Sequence, residues 1–503
     1  MKRFAILCIV IFAGTIFAGE GEEATFAPAL DEVARQWVDS LFYFSGTTPR
    51  DAEFEKKWAG DTLFKLDIVD RMLDHPLELP DTIDSWTAFA LESDEPRDIV
   101  GWMFERIDSP PGRRDCRRFA RRLEDLEPRP PENCAGLSPE AREALGYILS
   151  SMDLAAEYLE EMSEGISRES RDSLLYLVPS FWTDGEDSLS DSLDTYLLDL
   201  AQSDFDTSYE VHLDSLYETM SKYNMAKLAL ATGAILGGME RVADILADSN
   251  FSAPEEAIIV ETRRGRAIIG SGGSDLFGDA SIILDPGGDD FYRGCHAAGR
   301  IGKNRFGITV DASGNDHYDS RGEAFAGGTG VFGIGAMLDL SGDDAYYCDH
   351  YGQGAGVFGS GILIDRGGDD SYAGGSYVQG AGNFGIGLLL DYEGEDSYKS
   401  YCHAQGFAGP QGMGCLIDSE GADHYYSGGK YSHAPLSPFD YHSFSQGFAI
   451  GWRADVSGGI GFLLDDDGND TYTTGVYGQG ASYWYSLGMV VDSFGSDGYT
   501  SVW

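Results

Sequence analysis

The stretch DPGGDDFY, residues 285–292, returns as DASGNDHY (311–318), DLSGDDAY (339–346), DRGGDDSY (365–372), DYEGEDSY (391–398), DSEGADHY (418–425), DDDGNDTY (465–472) and DSFGSDGY (492–499). These eight copies of Asp-x-x-Gly-x-Asp-x-Tyr decide the fold. Their first aspartates are Asp285, Asp311, Asp339, Asp365, Asp391, Asp418, Asp465 and Asp492. The second aspartates are Asp290, Asp316, Asp344, Asp370, Asp396, Asp423, Asp470 and Asp497. Successive copies lie 26, 28, 26, 26, 27, 47 and 27 residues apart, and a degenerate copy, GSGGSDLF (270–277), precedes them. A fixed period of this length marks a stack of equivalent units.

Around each copy the pattern continues. A short apolar run precedes it, as in Ile282-Ile283-Leu284, Ile362-Leu363-Ile364 and Leu388-Leu389-Leu390. Such runs do not alternate, which suits strands covered on both faces. Asp-x-x-Gly then reads as a turn, with Asp bonding backbone N–H groups ahead of it and Gly accepting a positive φ. Between copies stands x-Gln-Gly, with Gln353, Gln379, Gln405, Gln446 and Gln479. Short strands and glycine corners at this period predict one coil of a parallel β-solenoid, about eight coils in all. Tyr292, Tyr318, Tyr346, Tyr372, Tyr398, Tyr425, Tyr472 and Tyr499 then form one column, and the glutamines are expected to form an amide ladder.

Stacking also aligns two columns of aspartate with rungs about 4.8 Å apart. Neighbouring carboxylates at that spacing repel by roughly 1 kcal/mol in water and by several times more in a shielded groove. Bound Ca²⁺ offsets this, with all sixteen aspartates as candidate ligands. Capping of turns and of backbone N–H groups, without an ion, is the competing reading. Locally, GGDDFY (287–292) and GGDDSY (367–372) resemble the calcium-binding RTX repeat, glycine-glycine-x-glycine-x-aspartate followed by an apolar residue. The RTX unit recurs about every nine residues, and it lacks the first Asp found here. The resemblance therefore implies calcium and a solenoid, and no RTX activity.

The 503 residues carry 84 acidic and 35 basic groups, a formal net charge of −49. Phosphates are repelled by such a chain, which argues against nucleic acid and anionic membranes. With 27 Phe and 27 Tyr, global disorder is not expected. Lys2 and Arg3, followed by apolar Phe4 to Ala18, read as a secretory signal cleaved after Ala18. Export to the periplasm, the cell surface or the medium follows, with no transmembrane helix once residues 1–18 are removed. Leu228 to Met239 is too short to span a bilayer and reads as a buried helix. Cys116 and Cys134 flank a Pro-rich turn and are a candidate disulfide.

Composition shifts near Arg264. Residues 1–264 hold 14 of the 66 glycines and 13 of the 17 prolines. The first half, residues 19–264, reads as a helical domain, and 265–503 as the repeat. Ser138-Pro139-Glu140 is an N-cap with Pro at N1, and further amphipathic stretches fall near 28–44, 50–74, 84–107, 168–180, 187–202 and 207–247. The helical half is expected to cap the first coil, whose strand edge needs cover. Arg113, Arg114, Arg117, Arg118, Arg121 and Arg122 read as a helix face paired with nearby acids, or as a docking site for an acidic partner.

The long interval between Asp418 and Asp465 implies an insertion at about 427–458. His424, His433, Asp440, His442 and Asp455 there are weak candidates for acid–base catalysis on a carbohydrate. No HExxH, GxSxG or Walker loop is present. The function expected is an exported, Ca²⁺-stabilised repeat protein with a structural, adhesive or binding role, its partner a carbohydrate or another surface protein. A carbohydrate-active enzyme and an outer-membrane β-barrel are the alternatives.

Overall fold

The structure is a computed structural model. It describes residues 32–48, 60–93, 95–167, 213–300, 303–323 and 325–502, with positions 54, 56, 170, 171 and 174. The secretory signal and the stretch 187–202 lie outside the described residues.

Helices come first: α1 (Glu32–Ser45), α2 (Asp67–Asp74), α3 (Leu79–Glu92), α4 (Pro96–Arg106), α5 (Arg113–Glu124), α6 (Pro139–Met162), α7 (Leu213–Met220) and α8 (Met225–Leu246). The stretch expected helical over 50–74 becomes helix only in α2 within its described part. Helix α6 opens as its sequence dictates: Ser138 Oγ accepts the Ala141 N–H at 3.2 Å and Pro139 stands at N1. Helix α8 is buried along nearly its whole length. Its small residues permit close crossing of α6, because a Cβ on Gly238 would collide with Ser151. Among the described residues no helix is long and apolar enough to cross a membrane.

From Ile258 onward the chain winds as a parallel solenoid. Each coil gives one strand to a ten-stranded sheet and one to a nine-stranded sheet. Pairing is parallel and in register, so that Ile334, Ser360 and Ile386 are neighbours in one sheet and Tyr346, Tyr372 and Tyr398 in the other. The antiparallel hairpins of a membrane barrel are therefore excluded. Strands such as Ser360–Ile364 are buried at every position, as their unbroken apolar runs imply. Leu363, Leu389 and Leu416 face the tyrosine column inside the coil. Their neighbours Ile362, Leu388 and Cys415 face the other way, into a core shared with the helices.

That shared core corrects the expected cap. The helices lie along the flank of the solenoid instead of over its first coil. Tyr223 packs on Phe332 and Phe358, Trp102 on Phe462 and Phe64 on Phe384. Thr232 Oγ1 donates to Ser360 Oγ at 2.6 Å inside this interface. Strand Ile258–Thr262 covers the first coil, folding back antiparallel on Gly265–Ile269. Helices match a flank because it offers a continuous apolar face, whereas the end of the stack offers unpaired backbone that only another strand satisfies.

The tyrosines stack as expected, with ring centroids 4.7 Å apart and planes within 3° for Tyr346 and Tyr372. A second ring column, Phe325, Tyr351, Tyr377, His403 and Phe444, is visible only in the structure. The glutamines do not form the expected amide ladder. Gln353 Nε2 donates to the Tyr346 and Ala373 carbonyls, and the others follow suit. Nor is the disulfide formed. Cys116 and Cys134 are free thiols that donate to Pro111 and Pro131 carbonyls.

Candidate metal centre

Each motif builds one corner of a coil. The first Asp closes a strand of the ten-stranded sheet, and in the first four copies its Oδ1 accepts the N–H two residues on. Gly287 donates to Asp285, Ser341 to Asp339 and Gly367 to Asp365, at 3.1–3.2 Å. This fixes the carboxylate rotamer from within the turn. The motif glycine is dictated by the stack: Gly368 has φ +148°, and a Cβ there would strike the Gly342 carbonyl of the preceding coil.

The second aspartates form a ladder of their own. Oδ1 of each accepts the N–H of its counterpart one coil earlier. Asp290 N–H donates to Asp316, Asp344 to Asp370 and Asp370 to Asp396, all at 2.6 Å, and Asp423 to Asp470 at 2.7 Å. This ladder bridges the long insertion without a break.

Between the two columns stand the tyrosine hydroxyls. Tyr318, Tyr346, Tyr372 and Tyr398 each lie 2.6–3.4 Å from Oδ2 of two first-column aspartates, their own and the next coil's. A phenol has one proton and can donate to only one of them. The other oxygen pair demands a proton on the carboxyl or a cation beside it. A proton on each first-column Asp would complete an Asp–Tyr–Asp chain. With every carboxyl ionised, Oδ2 of Asp290, Asp344, Asp370, Asp396, Asp423 and Asp470 and Oδ1 of Asp391, Asp418 and Asp465 are buried without a hydrogen-bond partner. A proton on a first-column carboxyl pairs it with the second-column Asp of its coil, as between Asp285 and Asp290 or Asp339 and Asp344.

Carboxylates of the two columns converge. Asp285, Asp290 and Asp311 form one buried group with ligand oxygens within 4.8 Å of one another. The same holds for Asp311, Asp316 and Asp339, for Asp339, Asp344 and Asp365, for Asp365, Asp370 and Asp391, and for Asp391, Asp396 and Asp418. Consecutive groups share a first-column Asp, so the whole is a continuous file. Burial, then neighbouring carboxylates, drives the carboxyls toward their neutral form: Asp465 is pushed up to about 9, Asp344 and Asp396 to about 8, and Asp311, Asp339, Asp391 and Asp418 far above the usual range. Asp492 and Asp497 in the last coil are half-buried, and Asp492 rises only to about 6.

The donor set is all oxygen. Histidine and cysteine are absent from the groups named, which disfavours zinc and copper and suits a hard cation. Charge also comes close to balance, because each coil contributes two carboxylates and each of the seven coil steps one divalent ion, which leaves two carboxylates over.

Of the five catalytic candidates, His433 and His442 meet and the other three lie apart from them. His424 lies exposed on the nine-stranded sheet with Nδ1 against Thr471 Oγ1. His433 and His442 are buried in the insertion, Nδ1 to Nε2 at 3.0 Å. Asp440 binds Ser437. Asp455 belongs to the helix–solenoid contact: its carbonyl accepts the Leu63 N–H at 2.8 Å and its carboxylate the Tyr217 hydroxyl at 3.3 Å. The insertion is thus partly a seat for the N-terminal half, where Ser457 N–H also bonds Leu63 O. No family model, no curated protein and no solved structure matches the chain.

Sequence reasoning placed both aspartate columns and the tyrosine column, and missed that one phenol serves two coils. The invariant spacing of seven from first Asp to Tyr was the available signal.

Proposed function

We propose that the protein is an exported repeat protein whose solenoid is held by a file of Ca²⁺ ions, and that it serves as a structural, adhesive or binding element outside the cell. The observation that carries this reading is the file of converging, buried carboxylates, several of whose oxygens have no hydrogen-bond partner when ionised. Protonation pairs the carboxyls within a coil, as between Asp285 and Asp290, whereas a divalent ion at each step serves both columns and two coils at once. Mg²⁺ retains several waters and strict octahedral geometry, which a dry, crowded file resists; Ca²⁺ accepts six to eight mixed carboxylate oxygens. The N-terminal Lys2-Arg3 and apolar run support export, and the calcium-rich exterior suits such sites.

The role is structural rather than catalytic because the polar groups capable of chemistry are consumed in holding coils together. In the insertion, His433 and His442 face each other and Asp455 holds the N-terminal half. Thermal melting of the full mature chain with and without EDTA tests the proposal. Chelation should lower Tm by many degrees, restored by Ca²⁺. An unchanged melt rejects it.

A further inference from the structure

Helix α5 is at odds with its own stability. Arg113 and Arg114 occupy its first turn, where the helix dipole disfavours cations. Arg113 with Arg117, Arg117 with Arg121 and Arg114 with Arg118 set like charges four residues apart. Only Arg122 is neutralised directly, by a bidentate pair with Glu157 at 2.7 and 2.8 Å. Asp115 faces inward to Lys227 at 2.9 Å, and Phe119 packs on Tyr158, which orients the helix. The remaining five guanidiniums, on Arg113, Arg114, Arg117, Arg118 and Arg121, stand exposed and make no ion pair among the described residues.

A complementary surface runs along the solenoid. Asp289, Asp343, Asp369 and Glu395 are exposed and occupy one position of successive coils, with Asn315 between the first two. Their backbones are tied in a ladder: Asn315 N–H donates to Asp289, Asp369 N–H to Asp343 and Glu395 N–H to Asp369, at 2.9–3.1 Å. The exposed Asp289, Asp343 and Asp369 carboxylates are thereby each held through one oxygen. Glu393 and Glu420 widen the ridge. Rungs repeat about every 4.8 Å, and Arg113, Arg117 and Arg121 about every 6 Å along the helix, so several guanidinium–carboxylate forks can engage together.

We propose that α5 docks on the acidic ridge of a second copy of this chain. The contact joins different faces of the two copies, so it propagates head-to-tail into chains or closes into a ring. It is independent of the cation file. Overall repulsion between copies is screened beyond about 8 Å at physiological salt, where direct pairs survive, and at about 1 M the pairs themselves weaken.

Sedimentation of the full mature protein at both salt concentrations tests this. Multimers are expected at the lower salt and one-chain particles at the higher. Arg113→Glu/Arg117→Glu/Arg121→Glu should weaken association by at least about tenfold, and so should Glu393→Lys/Glu395→Lys/Glu420→Lys, while an equimolar mixture of the two variants reassociates. Circular dichroism matching wild type confirms that each variant is folded. One-chain particles at every concentration, or unaltered multimers in the arginine variant, overturn the proposal. So does a wild-type protein that stays monomeric yet binds an immobilised polyanion through these arginines.

Discussion

A single phenol proton shared between two carboxylates is the smallest unit of the architecture. Tyr372 lies 3.1 Å from Asp365 and 2.7 Å from Asp391, fully buried. Replacing it with Phe keeps the ring column and removes the only hydroxyl between those oxygens. Tyr372→Phe should cost about 1–3 kcal/mol in denaturant unfolding, the usual cost of leaving a buried acceptor unpaired. Tyr499→Phe, at a half-exposed coil, should cost less than about 0.5 kcal/mol. The carboxyls themselves set a pH response. Asp423 is pushed up to about 7 and Asp344 and Asp396 to about 8, chiefly by burial. In the unfolded chain they titrate near 3.9. Without metal, their contribution is therefore full below about pH 4 and is lost as pH rises through 7 to 8. Cation binding needs the ionised form and reverses the sign. Buried His296 and His350, lowered to about 4, and His403, lowered to about 3, oppose this trend in both forms and cancel only in the difference between the two profiles. Metal-free protein should melt higher at about pH 5 than at pH 8, and Ca²⁺-loaded protein the opposite way; parallel profiles would contradict the file.

At the scale of elements, one turn repeated eight times explains the corner. The motif glycines are there because the preceding coil's carbonyl occupies the space of a side chain. Gly368→Ala should destabilise by at least about 3 kcal/mol through strain and collision with Gly342. Gly278→Ala, where nothing lies within 4 Å, should stay within about 0.5 kcal/mol. Much of this was legible in the sequence, because a repeat writes its rung spacing directly: the Asp and Tyr columns, the parallel strands and the buried apolar runs all follow from the period. What the period does not encode is which neighbour a side chain meets. Gln353 could have bonded Gln379 or a carbonyl, and only the local backbone path selects the carbonyl. Similarly, nothing local in α4 says that Trp102 meets Phe462 on the flank of a distant coil.

For the whole molecule, helices and solenoid form one body through a common core that runs from Trp86 and Leu228 to Phe358 and Phe462. Removing either side would bare that apolar face, so the described parts should unfold in one cooperative calorimetric transition in the loaded protein. Two well-separated transitions would contradict the shared core. The insertion, read from the sequence as holding weak candidates for acid–base catalysis, lends Asp455 and Ser457 to this union. Length alone signals an elaboration and does not say whether it faces a ligand or another part of the chain.

The file of cations is the claim on which the rest depends. Elemental analysis of the full mature protein, after exhaustive dialysis against metal-free buffer, tests it most directly. The expected result is calcium retained at close to seven ions per chain, one for each step between the eight motif copies. Less than about one divalent ion per chain, in a protein that remains folded, would contradict it.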